Sequence, residues 1–195
     1  MESVLPEYLV ARGWDRSMNE RRAVDAAGNP IPWLSYTAID FLSERLQKHF
    51  VVFEYGSGGS TLWLAQRVKK LISIEHDQQW YEELREQVPG NVTYIYQKLR
   101  RGYAYCQRVR RYKTLYHVIF IDGRDRVRCA INSYRNLLPD GVIVWDNTDR
   151  RRYREGIHFL RAHGLSQLKL NGIGPVDPRD TQTSIFYRKD NCFEI

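Results

Sequence analysis

Cysteine is scarce: Cys106, Cys129 and Cys192 are the only three in 195 residues. They are odd in number, far apart and without CxxC spacing, which argues against a disulfide framework or a zinc site. Reduced structural thiols are the expectation. No run of about 18 apolar residues is present, so no transmembrane helix is expected. The opening MESVLPEYLVARGWDRS carries early acids and lacks the long apolar centre of a secretory signal, so a cytoplasmic chain is expected. Internal repeats and low-complexity segments are missing. So is the GK[ST] ending of a Walker phosphate loop.

What is present suits one domain, 1–195, by the usual size range. Hydrophobic residues make up 43% of the chain, enough for a core. The formal net charge is +7. The basic excess lies in KLRRGYAYCQRVRRYK (98–113), in DRRRYR (149–154) and at Arg124, Arg126 and Arg128. Such patches favour anionic partners, or form a solvated basic surface.

Residues 1–35 read as irregular, with NPIPW (29–33) a loop before structure begins. YTAIDFLSERLQKHF (36–50) has apolar residues at helical spacing, completing an N-terminal loop and helix over 1–50. Strand-like runs follow at 51–55, 71–75, 92–96, 117–122 and 142–145. Helical segments STLWLAQRVKK, DQQWYEELREQV and RVRCAINSYRNLL lie between most of them, with Asp77 an N-cap and PDG (139–141) a helix stop. Alternation of this kind predicts a mainly parallel sheet with helices on both faces. GLSQLKL (164–170) and TSIFYRK (183–189) have no helical pattern between them and are expected to pair antiparallel. The basic insertion 98–116 is long for a connection, and such loops are often functional.

FEYGSGGST (53–61) joins the first strand to a helix through a turn with almost no side chain. Gly56 can take turn dihedrals closed to other residues. Gly58 and Gly59 let a ligand touch the backbone, and Ser60 or Thr61 can cap the next helix. Glu75 ends the second strand about 20 residues after Gly56, where an acid suits the two hydroxyls of a ribose. A dinucleotide fingerprint wants a third Gly or Ala, and Thr61 stands there instead.

These residues, with ISIEHD (72–77), VIFIDG (118–123) and LLPDGVIVWDN (137–147), resemble the class I S-adenosylmethionine-dependent methyltransferases in order and spacing, over roughly 50–190. The resemblance implies a Rossmann-like, doubly wound α/β sheet of seven strands, mainly parallel with the last strand antiparallel. It places Glu54 and Gly56 near the methionine portion of the cofactor. Ser57, Gly58, Ser60 and Thr61 line its cradle. Glu75 binds the ribose hydroxyls, His76 lies beside the adenine and Gln97 or Lys98 meets the adenine edge. His76 can equally be an exposed helix-entry residue, and Trp63 and Trp80 read as packing residues.

Asp122 ends the fourth strand; Asp146 and Asn147 end the fifth. Neighbouring strands lie about 4.8 Å apart, so these hard oxygen ligands can converge on one edge and suit octahedral Mg²⁺. The pattern resembles the metal-dependent O-methyltransferases, which implies a divalent ion that acidifies an acceptor hydroxyl. Where the catechol enzymes have a Lys base, this chain has Asp125, a proton acceptor or a helix cap. Asp122 and Asp125 are the candidate catalytic residues. The other reading is an Asp122 that touches only the cofactor, with DNTD as turn chemistry.

Arg124, Arg126, Arg150, Arg151 and Arg152 project from the same predicted edge, which points to an acceptor bearing negative charge. Tyr103, Tyr105 and Tyr112 can stack on bases or pack the loop; packing is the expectation. GIGPVDPRDTQTSIFYR (172–188) is either a cover over the substrate or an ordinary hairpin. The leading reading is O-methylation of a small-molecule or sugar acceptor. An RNA-directed methyltransferase and a non-catalytic cofactor- or anion-binding module stand behind it.

Overall fold

The computed structural model describes residues 7–99 and 103–195. Seven strands form one sheet: β1 (Val51–Tyr55), β2 (Lys70–Glu75), β3 (Val92–Tyr96), β4 (Tyr116–Ile121), β5 (Leu137–Asp146), β6 (Ser166–Ile173) and β7 (Asp180–Tyr187). Their order is β3-β2-β1-β4-β5-β7-β6. The first five pair in parallel, and β7 runs antiparallel between β5 and β6. The strand order reverses between β1 and β4, which opens a crevice outside their carboxyl ends.

Strand alternation divides the core in two. Phe53, Tyr55, Ile119, Ile121 and Trp145 face one way. Helices α6 (Arg126–Ser133) and α7 (Arg154–Ala162) cover that face through Cys129, Ala130 and Leu160, and the turn 108–112 through Val109. Val52, Val118, Phe120 and Val144 face the other way, under α3 (Tyr36–Arg45) and α4 (Gly59–Ala65). Helix α5 (Gln78–Arg85) lies beside β2 and β3, with Asp77 accepting from the Trp80 N–H as an N-cap.

Several local expectations are corrected. Residues 7–20 are not irregular: α1 (Glu7–Ala11) and α2 (Trp14–Glu20) flank Gly13, a left-handed residue at φ 75°. Ser17 is buried and bonds both the N–H and the carbonyl of Val24, which docks this arm. PDG is no helix stop. Helix α6 ends at Ser133, whose hydroxyl bonds back to the Cys129 carbonyl. Leu137 already pairs with Tyr116, and residues 138–141 bulge before Val142 regains register with Val118. Between β5 and β6 lies a helix that the sequence pattern did not show, α7, which follows the turn 147–150 and a 3-10 turn at Arg151–Tyr153.

The basic insertion is rooted in the core. Tyr105, Cys106 and Val109 are buried, and the Tyr55 hydroxyl donates to the Cys106 carbonyl at 2.7 Å. Side chains of this size contribute roughly 1.5–3 kcal/mol each on burial, enough to hold a charged loop in place. Tyrosine packing is thus observed at Tyr105, whereas Tyr103 is exposed. Arg100 and Arg101 lie outside the described residues.

Gly56 sits at φ +87°, and a Cβ there would meet the Gly123 Cα at 2.5 Å. The turns after β1 and β4 therefore cross backbone on backbone. Gly56→Ala is expected to cost on the order of 2 kcal/mol or more, since both φ and space are wrong. Urea unfolding measures it; an unchanged midpoint would remove the crossing from the account.

Candidate functional site

Three adjoining hollows lie along the carboxyl edge of the sheet, and Asp122 lines all of them. One, of about 420 Å³, is bounded by Gly56, Ser57, Glu75, His76, Gly123 and Arg124. The next, about 700 Å³, lies across the glycine turn, between Ser57, Gly58, Trp80 and the N-terminal arm at Arg21, Arg22 and Trp33. The third, about 470 Å³, runs from Trp33 to the end of β5 and the start of β7.

Two glutamates organise the turn in opposite ways. Glu54 is wholly buried beneath it and lines none of the three hollows. The Ser60, Thr61 and Ser73 hydroxyls each donate to its carboxyl at 2.6 Å. Burial pushes its pKa up to about 7, against those three hydrogen bonds. Thr61 also accepts from the Gly58 N–H, so it does cap α4, from its third position. Glu54 and Thr61 thus brace the turn from below, while Ser60 joins them and also borders the hollow across the turn.

Glu75, at the end of β2, goes the other way. Burial opposes its charge, but the His76 side chain and the amides of Asp77, Ser57 and His76 overcome it and hold the pKa near 2. The Ser57 hydroxyl donates to Glu75 at 3.0 Å and also lies 2.7 Å from the Tyr94 hydroxyl. It has a second partner if a ligand hydroxyl takes its place. His76 Nδ1 stands 2.6 Å from Glu75, while Arg124 donates to His76 Nε2 at 3.4 Å. Gly58 leaves open space, its nearest neighbour being Trp80 at 3.9 Å. Gly59 does not: a Cβ there would meet the Ile31 carbonyl at 2.6 Å, so the chain's own arm occupies that approach.

Asp122, Asp146 and Asn147 do converge, and Arg126 lies among them. Its guanidinium meets Asp122 Oδ1 at 2.7 Å, Asn147 Oδ1 at 3.2 Å and Asp146 Oδ2 at 3.6 Å. It also donates to the carbonyls of Asp122, Gly123 and Asp146. Asp146 accepts from the Thr183 hydroxyl at 2.8 Å. Burial and the adjacent Asp122 raise Asp146 to about 7; burial raises Asp122, which Arg126 opposes. A divalent ion does not fit beside this guanidinium, because the oxygens that would hold it already face a cation. No cluster of three His, Cys, Asp or Glu with metal-binding geometry exists among the described residues.

The remaining expected residues scatter. Asp125 does not cap α6. It is left-handed at φ 51°, makes no cap bond, and pairs with Arg128 at 3.2 Å on the rim. Gln97 accepts from Arg108 and lines none of the three hollows. Arg126 is internal, Arg124 borders the Glu75 hollow, and Arg150 borders the hollow at Trp33. Arg151 and Arg152 are exposed outside all three. Trp80 is no packing residue: it stands on the rim, bonded to the Ser57 carbonyl at 3.0 Å. Arg21, Arg22, Trp33 and Asp149 escaped the sequence reading. The adjacent arginines and the nearby tryptophan were visible, but no local pattern tied them to a turn far along the chain.

No family model matches the chain, and no curated protein matches it in sequence. Solved structures do match in shape. Precorrin-6y C5,15-methyltransferase from Geobacter metallireducens superposes with a TM-score of 0.63 at 16% identity, covering 88% of this chain and 96% of that one. The chain has the fold of the class I S-adenosylmethionine-dependent methyltransferases. An rRNA methylase from Streptococcus thermophilus shares the methyltransferase fold at 0.58 and 14% identity, over 76% of this chain and 93% of that one. The N-methyltransferase NodS from Bradyrhizobium japonicum matches at 0.55 and 15%, over 76% and 92%. No helix among the described residues is long and apolar enough to cross a membrane.

Glu54 gives a pH signature. Its raised pKa means the folded state holds a proton that the unfolded chain releases near 4.5. Its contribution to stability is present below about pH 4.5 and is lost as pH rises towards 7, on the order of 3 kcal/mol in all. Unfolding free energies across that window should show this slope in the wild type and a flatter one in Glu54→Gln. For Arg126→Gln, a loss on the order of 2 kcal/mol is expected, since buried Asp146 and half-buried Asp122 lose their shared cation. Chemical denaturation would show it.

Proposed function

We propose that this chain is a methyltransferase that uses S-adenosylmethionine and acts on a hydroxyl of a neutral, polyhydroxylated acceptor of the sugar type. The carrying observation is the place of Asp122. It lies where the hollow of the ionised Glu75 meets the hollow of Trp33 and Asp146.

Glu75, Ser57 and the Gly56–Gly58 backbone would hold the nucleoside portion of the cofactor, with His76 beside the base. Arg21 and Arg22, across the turn, supply cations for its carboxylate end. When bound, the cofactor supplies an electrophilic methyl group on a sulfonium sulfur. The chain must then orient a hydroxyl and take its proton. Asp122 engages Arg126 through Oδ1, which would leave Oδ2 to accept that proton as the new C–O bond forms and the sulfonium C–S bond breaks, its electron pair staying on sulfur. Arg126 keeps the neighbouring carboxylates in place, so no step here needs a divalent ion.

The acceptor hollow is lined by five aspartates and three arginines, and two of those arginines are paired with aspartates. That balance disfavours the acidic acceptor expected from the arginine runs. Carboxylates, an amide and an indole face are the usual furniture for hydroxyl-rich ligands, giving hydrogen bonds at the edge and an apolar face to rest on.

The test is calorimetric titration with S-adenosylmethionine and S-adenosylhomocysteine. Micromolar binding is expected, with Glu75→Ala weakening it at least tenfold, about 1.4 kcal/mol. Adding Mg²⁺ or EDTA should leave the affinity unchanged. Absence of binding by folded wild-type protein would defeat the proposal. An Mg²⁺ dependence lost in Asp146→Asn would restore the metal-assisted route.

A further inference from the structure

The positive charge of this chain belongs to one layer of the fold. The segments 103–113, 124–136 and 150–163 form the helical cover over one sheet face. They carry thirteen Arg and Lys against two acids. The rest of the chain carries seventeen against twenty-one, so it is net negative. A charge of +7 spread evenly would need no explanation. This separation places an intense positive field on one side of an otherwise acidic molecule.

The layer is also chemically biased. Twelve of its thirteen cations are arginine. Arginine's planar fork pairs with phosphate oxygens in bidentate fashion and stacks on flat rings. Arg126 and Arg128 are held by aspartates. Arg110, Arg111, Arg154 and Arg161 are exposed and form no ion pair with any described residue. Tyr103 stands 49% exposed in the same layer, with the Arg128 guanidinium over its ring at 4.5 Å. Among the described residues of the insertion and the two helices, Leu99 and Leu115 are the other exposed large apolar side chains. A membrane-inserting wedge would need several.

We propose that this helix layer is a docking surface for single-stranded nucleic acid. Exposed guanidinium groups would track the phosphates and Tyr103 would offer a base a flat face. The layer reaches the cleft at two points, because Arg124 and Arg150 each border a hollow lined by Asp122. A strand lying on α6 and α7 would therefore run to the edge where the proposed chemistry takes place. The docking rests on the charge layer and not on the neutral acceptor proposed above.

The experiment is fluorescence anisotropy with the full chain and a labelled single-stranded RNA of about 20 nucleotides. Expected are micromolar binding at about 150 mM salt and a log–log salt slope near −4, the value for about six phosphates. Reversal of Arg110, Arg111, Arg154 and Arg161 to Glu should weaken binding at least tenfold. Reversal of Lys48, Lys69 and Lys169, exposed residues outside the layer, should change it by no more than about twofold. Absence of RNA binding, equal losses in both variants, or binding to phosphatidylglycerol vesicles without binding to RNA would each overturn the proposal. S-adenosylhomocysteine titrations on the same variants separate the two readings: cofactor binding retained while RNA binding is absent defeats the docking surface alone.

Discussion

One largely enclosed guanidinium holds the carboxyl edge of the sheet together. The parallel pairing of β4 and β5 brings Asp122 and Asp146 to neighbouring strand ends. Two carboxylates so close would repel, and burial would penalise both charges. Arg126, one turn along from Asp122, returns across the gap and binds side chains and carbonyls from both strands. It holds the ends of β4 and β5 in register with each other, and so sets where the hollows meet. Removing the cation would leave buried Asp146 and half-buried Asp122 uncompensated, which is why the pair and the arginine have to be considered as a unit.

The glycine turn shows the same residue type put to two uses by its surroundings. Glu54 and Glu75 lie at equivalent ends of adjacent strands. Glu54 points beneath the turn, where only hydroxyls reach it and burial raises its pKa. Glu75 collects backbone amides and an imidazole, and these outweigh burial. Glu54 serves the scaffold under α4, while Glu75 is the charged group presented to the cleft. The braced turn then crosses the β4 turn at Gly56 and Gly123, so the hollow at Glu75 and the hollow at Trp33 are mechanically joined.

Much of the sheet was legible because local rules sufficed. VVFEY and VTYIY are bounded by turn residues, and they occupy the strands expected of them. Glu75 was legible because a strand end, a glycine turn and a fixed interval define its place. The helix after β5 was hidden by its composition: Arg154, Glu155 and Gly156 mask an apolar stripe of Ile157 and Leu160 that only the sheet reveals. Asp125 looked like a cap, but its backbone is left-handed and its carboxylate turns to Arg128.

The sequence by itself determined the succession of the five parallel strands, the glycine turn and the acids at the strand ends, since these follow from side-chain periodicity and backbone conformational limits within a few residues. Tertiary structure alone decided which cation meets those acids. Arg126 and Arg150 are both basic residues in a basic run, yet one is enclosed between strands and the other borders solvent. It also gathered Arg21, Arg22 and Trp33 over a turn far along the chain, and collected thirteen cations onto one helix layer. Electrostatic environment depends on distances in space and on burial, and neither is encoded in the spacing of residues along the chain.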